Sequence, residues 1–436
     1  MHIHITKKLL FFLSLLQLFT SKVWGLNFQT FIEKALKNNP YLASINLETE
    51  INKQHLVTEK RKYWPKIQIN LLSGITEGEP FLDYGDLISS ELDKKYRFWG
   101  EEFIVLLPIL QNGSLIGTTS PEVNISKLEI EKSKLNYISV KNLQIENLAK
   151  LYTDVISLRE EYNYEKYNLF LQKLKYEKSS KLFKQKAISK RQKMLSELYL
   201  KQAELSLNET AYNLKKKIKI IQTMLGLEKE PSIEDFHLPL ISQTPKNLNK
   251  FLKKIKKHNP EILESKFDIE IAKETYNLTK KKVLPEINLE TGLRYYENFN
   301  DQSRSEFFLI LKCNWSFGFD ILSERKEHFL STKKAKKDYF SAISERKQEV
   351  INSFYQLHTL FNDIQSAEID VNIEKIKLEE IEEQFYLGKV SLKEVYEQKL
   401  KLLSKIQNLK NLKIEYFLNT IHLKHLIGLN WNDPWP

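Results

Sequence analysis

FQTFIEKALKNNPYL, residues 28–42, returns 220 residues later as LNKFLKKIKKHNPEI, residues 248–262. Phe31 matches Phe251, Lys37 matches Lys257, and Asn39-Pro40 matches Asn259-Pro260. Pro65 and Pro285 keep the same offset, and KIQINL (66–71) then faces EINLET (286–291). A second block matches at an offset of 202: MLGLEKEP (224–231) answers LIGLNWNDP (426–434), and Ile188-Ser189 answers Val390-Ser391. Self-similarity of this kind marks a chain built from two copies of one unit. The expected division is a first repeat over residues 26–231, a linker over 232–245 and a second repeat over 246–436. The change of offset leaves eighteen extra residues in the first copy, and the Gly-, Pro-, Asp- and Ser-containing stretch Ile75–Glu101 is their expected place, as a surface loop.

Within each copy the pattern predicts a helix, two strands and two very long helices. The first helix of each copy (27–63 and 247–283) carries an Asn-Pro kink and stops before a proline that opens a strand. Strands are expected at 66–74, 103–110, 286–296 and 306–315. Ile287 and Leu289 alternate with Asn288 and Glu290, as on a sheet with one apolar and one polar face. Aromatic residues gather near the strand ends: Tyr63, Trp64, Phe98, Trp99, Tyr295, Tyr296 and Trp315. They read either as interfacial girdles or as packed aromatics. Neither Gly nor Pro occurs from Glu122 to Leu225 or from Phe319 to Leu387. At 1.5 Å per residue, the second of these stretches would reach about 100 Å as a helix. Leu214, Ile218, Ile221 and Leu225 step by 4, 3 and 4, the spacing of a partner-helix seam, and the repeat puts Tyr416, Thr420, Leu423 and Ile427 at the equivalent places.

Composition agrees with long helices: 436 residues hold only 12 Gly and 12 Pro, with 28% charged. The net charge of +11 is spread as Lys alternating with Glu along helical faces, which reads as a solvated surface and not as a nucleic-acid patch. Lys7 and Lys8, the apolar run Leu9–Phe19 and Val23-Trp24-Gly25 have the order of a cleaved secretory signal peptide, expected over residues 1–25. No later apolar run is long enough for a transmembrane helix, which leaves an exported soluble protein or a β-barrel. Cys313 is the only cysteine, so neither an internal disulfide nor a cysteine cluster for zinc is available. His422 and His425 lie three apart on a helix without a carboxylate or cysteine close in sequence, which favours surface residues over a metal site. No HExxH, GxSxG or phosphate-binding glycine loop occurs, so no cofactor and no enzyme are expected.

A signal peptide, a duplicated body, two strands per half and paired long helices together resemble the TolC family of outer-membrane efflux proteins. The residues that carry the resemblance are Asn39-Pro40, Asn259-Pro260, Pro65, Pro285, the LPIL strand end with Pro108, and the turn YLGKVSLKEV (386–395). Four strands cannot close a barrel, and open sheet edges are not tolerated in hydrocarbon, so several copies must share one barrel. The resemblance implies an α+β membrane protein. It would be a homotrimer with a 12-stranded β-barrel, four strands per chain, continuous with a long α-helical periplasmic barrel. The implied location is the outer membrane with a periplasmic extension. The implied partners are a periplasmic adaptor (membrane fusion) protein, an inner-membrane efflux pump or ABC exporter, and outer-membrane lipid, with no nucleic acid. The implied role is the exit duct of a tripartite efflux or type I secretion system; a soluble periplasmic coiled-coil adaptor or structural protein is the alternative.

The resemblance also distributes roles along the turns. Lys186, Ala187, Ile188 and Ser189 in the first half, and Gly388, Lys389, Val390 and Ser391 in the second, would form adaptor-contact tips. Glu394 and Glu397 would line the constriction at the periplasmic entrance, where rings of carboxylates favour cations. They also read as acids at the positive end of a helix, and the two readings are compatible. The first half has Gln192 and Leu195 there. The chain departs from the family pattern at Phe385, Val390 and Gln192, which replace the usual tyrosine, arginine and aspartate contacts, so a polar latch is not implied. Lys186 stands in place of the turn glycine, which predicts a differently shaped first tip.

Overall fold

The computed structural model describes residues 27–77, 95–239, 244–298, 302–315 and 318–435. The expected signal peptide, residues 78–94 of the expected loop and residues 240–243 of the linker lie outside them. The described residues form two compact units, each with pieces of both repeats. A helical unit takes the chain up to Ala43, Ile138–Asn259 and Glu345–Pro436, and a sheet-bearing unit takes Ser44–Tyr137 and Pro260–Ser344.

Chain order is the same on both sides of the linker. Helix α1 (Phe28–Lys37) and α2 (Pro40–Arg61) precede strands β1 (Lys66–Glu77) and β2 (Lys95–Gln111), a short β3 (Ser114–Leu115), and the long helices α3 (Pro121–Lys184) and α4 (Lys190–Leu225). In the second half α5 (Leu248–His258), α6 (Pro260–Lys281), β4 (Glu286–Asn298), β5 (Gln302–Asn314), α7 (Asp320–Tyr386) and α8 (Leu392–Leu426) follow. The Asn-Pro kinks divide the first helix of each half into two. Pro40 and Pro260 each take the first helical position, where a missing N–H costs nothing. Asn39 accepts from the backbone N–H groups of Tyr41 and Leu42 and so caps α2.

The helical unit forms around the faces read from the sequence. Phe28, Phe31, Ile32 and Ala35, spaced along one face of α1, bury against Tyr152 and Ile156 of α3, Phe417 and Ile421 of α8 and the seam Leu214, Ile218, Ile221 and Leu225 of α4. Phe28 meets the rings of Tyr152, Phe417 and Trp431 edge-on, with centroids 4.9–5.3 Å apart. Tyr416, Thr420, Leu423 and Ile427 are buried as the repeat predicts. Polar contacts join α4 to α3 (Lys217–Asp154, 2.7 Å), α3 to α8 (Ser157–Asn411, 2.9 Å; Glu160–Lys410, 2.7 Å) and α8 to α7 (Lys405–Asp370, 2.7 Å). The last carbonyls of α4 and α8, which lack partners inside a helix, are taken up near the kinks. Asn38 donates to Leu225 O and Asn259 donates to Leu426 O.

In the sheet-bearing unit the order is β1-β2-β4-β5, antiparallel throughout, with β3 paired to the end of β2. All four expected strands form, and two expectations about length change. Ile75–Glu77 and Lys95–Glu101 belong to strands, not to the loop, because backbone pairing of β1 with β2 continues from Lys66↔Leu106 to Glu77↔Lys95. The extra residues of the first half are therefore not all in that loop: β2 has 17 residues against 13 in β5, and it turns into β3. Pro65 and Pro285 stand immediately before β1 and β4. Pro108 sits within β2 at a register shift against β4 and beyond the last partner on β1, where a strand tolerates a residue without N–H.

Candidate functional site

One face of the sheet is largely apolar, and the other is mixed, its polar groups standing among Ile104, Leu106, Phe308 and Ile310. Ile69, Phe103, Leu293 and Phe307 form one cross-strand row, and Ile67, Val105, Thr291 and Leu309 form the next. On the edge strands this face is bare: Ile67, Ile69 and Leu71 on β1 and Phe307, Leu309 and Leu311 on β5 are 64–70% exposed. Cys313 lies on the same face, opposite Ile287. The alternate row, Asn70, Glu102, Arg294 and Glu306, is a polar network. Asn70 donates to Glu102 at 3.0 Å, and Arg294 ion-pairs with Glu102 at 3.1 Å and lies 4.1 Å from the Phe308 ring centroid. Lys312 pairs with Glu290 on this face too, at 3.4 Å. An isolated sheet would hide its apolar face, so a broad exposed one marks a partner or a membrane. Of the aromatic residues near the strand ends, Trp99 packs edge-on to Tyr295 at 6.1 Å, while Trp64 and Trp315 are exposed. The side chains of Phe98 and Tyr296 lie outside the described residues.

The helix turns repeat one backbone design. The N–H of Ala187 bonds Leu182 O and that of Lys186 bonds Phe183 O; the N–H of Lys389 bonds Gln384 O and that of Gly388 bonds Phe385 O, each at 2.9 Å. This is the bond pair of a Schellman motif, with its left-handed residue at Lys186 (φ 58°) or Gly388 (φ 72°). The same pair closes α4 at Gly226 and α8 at Gly428. The expectation of a differently shaped first tip is thus corrected, because Lys186 adopts the glycine conformation. Ser189 and Ser391 precede the next helices. The Ser189 N–H donates to the Gln192 side chain, and both the N–H and the hydroxyl of Ser391 donate to the Glu394 carboxylate. The pattern Ser-x-x-Gln or Glu was a readable sign of this capping.

Glu394 is therefore engaged at the start of α8, and Glu397 lies 3.0 Å from Lys175 on α3 and 3.6 Å from Lys393. Burial alone would raise the Glu397 carboxyl, but the two lysines outweigh it and hold it below its ordinary value. Beside this pair a surface pocket of about 360 Å³ is lined by Lys175, Lys178, Gln192, Leu195, Tyr199 and Lys393. Phe385 and Val390 are part-buried, and Tyr386 and Leu387 at the same tip are exposed.

The histidines differ from expectation. A carboxylate is present: Glu146 of α3 faces Nδ1 of His422 at 3.2 Å and Nδ1 of His425 at 2.9 Å, and His425 is buried. The three residues are 276 and 279 positions apart in sequence, beyond the reach of motif reading. Burial pushes the Glu146 carboxyl up, yet the histidines dominate and bring it to about 2, while Glu146 raises His422. No group of three such side chains among the described residues is arranged to hold a metal ion. Nor is any described helix long and apolar enough to cross a membrane.

No family model matches the sequence, and no curated protein matches it. Solved structures do. CmeC, an outer membrane channel of Campylobacter jejuni, superposes with a TM-score of 0.73 at 14% identity, covering 93% of this chain and 87% of that one. CusC, whose structures concern folding and transmembrane channel formation, gives 0.68 at 14% identity with 92% of each chain covered. The chain has the fold of these channel proteins. The open-state MtrE outer membrane channel of Neisseria gonorrhoeae is similar at a TM-score of 0.64 and 13% identity, over 94% of this chain and 90% of that one.

Proposed function

We infer that the chain is one subunit of an outer-membrane channel of the TolC-like class, the exit duct of a tripartite efflux or type I secretion system. The sheet carries this reading: an exposed apolar face backed by a mixed one that holds a network of charged groups, with β1 and β5 as open edges. In lipid such edges must be closed, and only strands from further copies can close them. Because the strand directions alternate, β5 of one copy meets β1 of the next antiparallel, and three copies give twelve strands. The helical unit supports the same ring. Contacts order its helices α4, α3, α8, α7, and the two outer ones carry uncovered stripes at seven-residue spacing. Leu198, Leu205 and Tyr212 on α4 and Ile369 and Ile376 on α7 are 60–75% exposed. A stripe of that period is a seam awaiting a partner helix.

In this assembly the turns at Lys186–Ser189 and Gly388–Ser391 meet the periplasmic adaptor, and Glu394 and Glu397 line the entrance. Drugs or exported polypeptides would pass from an inner-membrane pump, which supplies the energy. Fractionation of cells with an unboiled gel tests the proposal. A heat-modifiable trimer in the outer membrane is expected; a soluble periplasmic monomer overturns it and favours the adaptor or rod alternative.

A further inference from the structure

The two helix-to-strand junctions are equivalent in the repeat but differ in charge. The first reads KRKYWPK (60–66) and the second KKKVLPE (280–286). At the second, the three lysines are occupied: Lys280 lies over the Tyr276 ring, Lys281 donates to Ser114, and Lys282 pairs with Glu324. At the first, Lys62 pairs with Glu59 and Arg61 lies 5.7 Å from the Trp64 ring centroid. Lys60 and Lys127 make no ion pair among the described residues, and both line a pocket of about 540 Å³ with Tyr63, Trp64, Ile116 and Thr118. Val123, in the first turn of α3, completes the wall of the same pocket, with its N–H donated to the Ser120 hydroxyl. Glu122, the acid in that turn, is held by Asn112 at 2.6 Å.

Position identifies the occupant. Pro65, also in the pocket wall, leads through Lys66 to Ile67, where the bare apolar face of β1 begins. The pocket thus lies at the foot of the band that the proposed channel presents to hydrocarbon. Trp64 and Ile116 are exposed apolar rim, and unpaired lysines stand behind them. Aromatic residues with lysines at this depth suit the phosphate of a lipid whose chains continue along the apolar face.

We propose that this pocket binds the headgroup of an anionic phospholipid of the periplasm-facing leaflet, with Lys60 and Lys127 on the phosphate and Trp64 against the glycerol and upper chains. The site rests on the membrane reading of the sheet. The full mature protein is reconstituted in phosphatidylcholine vesicles with a minority of phosphatidylglycerol, and lipid retained per chain is measured by native mass spectrometry. Insertion is scored on the same samples from protease protection. Wild type should retain phosphatidylglycerol over phosphatidylcholine, and Lys60→Gln with Lys127→Gln should insert equally but lose about tenfold of that preference. Lys280→Gln, at the second junction, should leave it unchanged. Insertion without a preference, or a preference that survives the double variant, overturns the lipid site alone. Displacement of the lipid by inorganic phosphate assigns the pocket to a free anion and also overturns it. Failure of wild type to insert overturns the membrane reading and the site with it.

Discussion

At the tip of the first hairpin Lys186 holds φ 58°, and at the tip of the second Gly388 holds φ 72°, with the same two hydrogen bonds around each. At the other ends of the long helices Gly226 and Gly428 do the same. All four helix ends share the same backbone bonds, although Lys186 is of a type that strains in that conformation. The halves differ further in what surrounds each end: a Cβ on Gly226 would meet only the Asn38 side chain, at 3.9 Å, where its counterpart Gly428 is crowded. A Cβ on Gly388 would meet nothing within 4 Å, whereas one on Gly428 would run into the His258 backbone. The acids show the same asymmetry: Glu394 and Glu397 in one half, Gln192 and Leu195 in the other.

Among the helix ends, substitution should cost most at Gly428. Gly428→Ala is expected to destabilise by about 3 kcal/mol, from backbone strain plus collision with His258. Gly388→Ala should cost only about 1 kcal/mol, the left-handed strain alone. Urea midpoints of the detergent-solubilised protein give both values, and equal costs would show that His258 yields freely.

The charged half offers a second test. If Glu394 and Glu397 line the entrance, Glu394→Gln with Glu397→Gln lowers cation preference in single-channel recordings, while Leu195→Ala in the other half leaves it unchanged. Because Lys175 and Lys393 lean on Glu397, Lys393→Gln should raise the preference in the parent channel. Unchanged selectivity in all three variants removes both acids from the pore.

A third asymmetry is the junction of Glu146 with His422 and His425, since the first half has Ile220 and Thr223 at the matching positions. Glu146 is depressed from 4.5 to about 2, so its contribution is present above pH 4.5 and is lost as pH falls towards 2. His422 is raised from 6.5, so its contribution is complete below pH 6.5 and is lost as pH rises through the elevated value. Thermal stability should therefore peak between about pH 4.5 and 6.5, and Glu146→Gln should flatten both flanks. A profile that the substitution leaves unaltered would place the dependence elsewhere. The smallest effect is expected at the first tip. Lys186→Gly relieves the strain but frees the unfolded chain, for a net gain under about 1 kcal/mol.

Much of this architecture was legible because it is periodic or punctuated. The Asn-Pro pairs marked the kinks, Pro65 and Pro285 marked strand starts, and the 4-3-4 steps of Leu214 to Leu225 marked a buried face. What escaped depends on contacts between distant residues. Lysine carries no turn signal, so the conformation of Lys186 is imposed by the helices that meet around it. The carboxylate between the histidines comes from another long helix. Strand ends inside Ile75–Glu101 were concealed because charged and glycine residues interrupt the apolar alternation there. Glu394 was legible in two ways, and its capping bonds to Ser391 now stand beside the pore role proposed for it.

In the proposed channel, open sheet edges and bare helix stripes are closed by further copies of the chain. Single-particle electron cryo-microscopy of the full mature protein in lipid nanodiscs tests this closure most directly. A threefold ring is expected, in which β5 of each copy pairs antiparallel with β1 of the next and α4 lies against the neighbouring α7. A monomer in the nanodisc, or a twofold assembly joining β1 to β1, would contradict it.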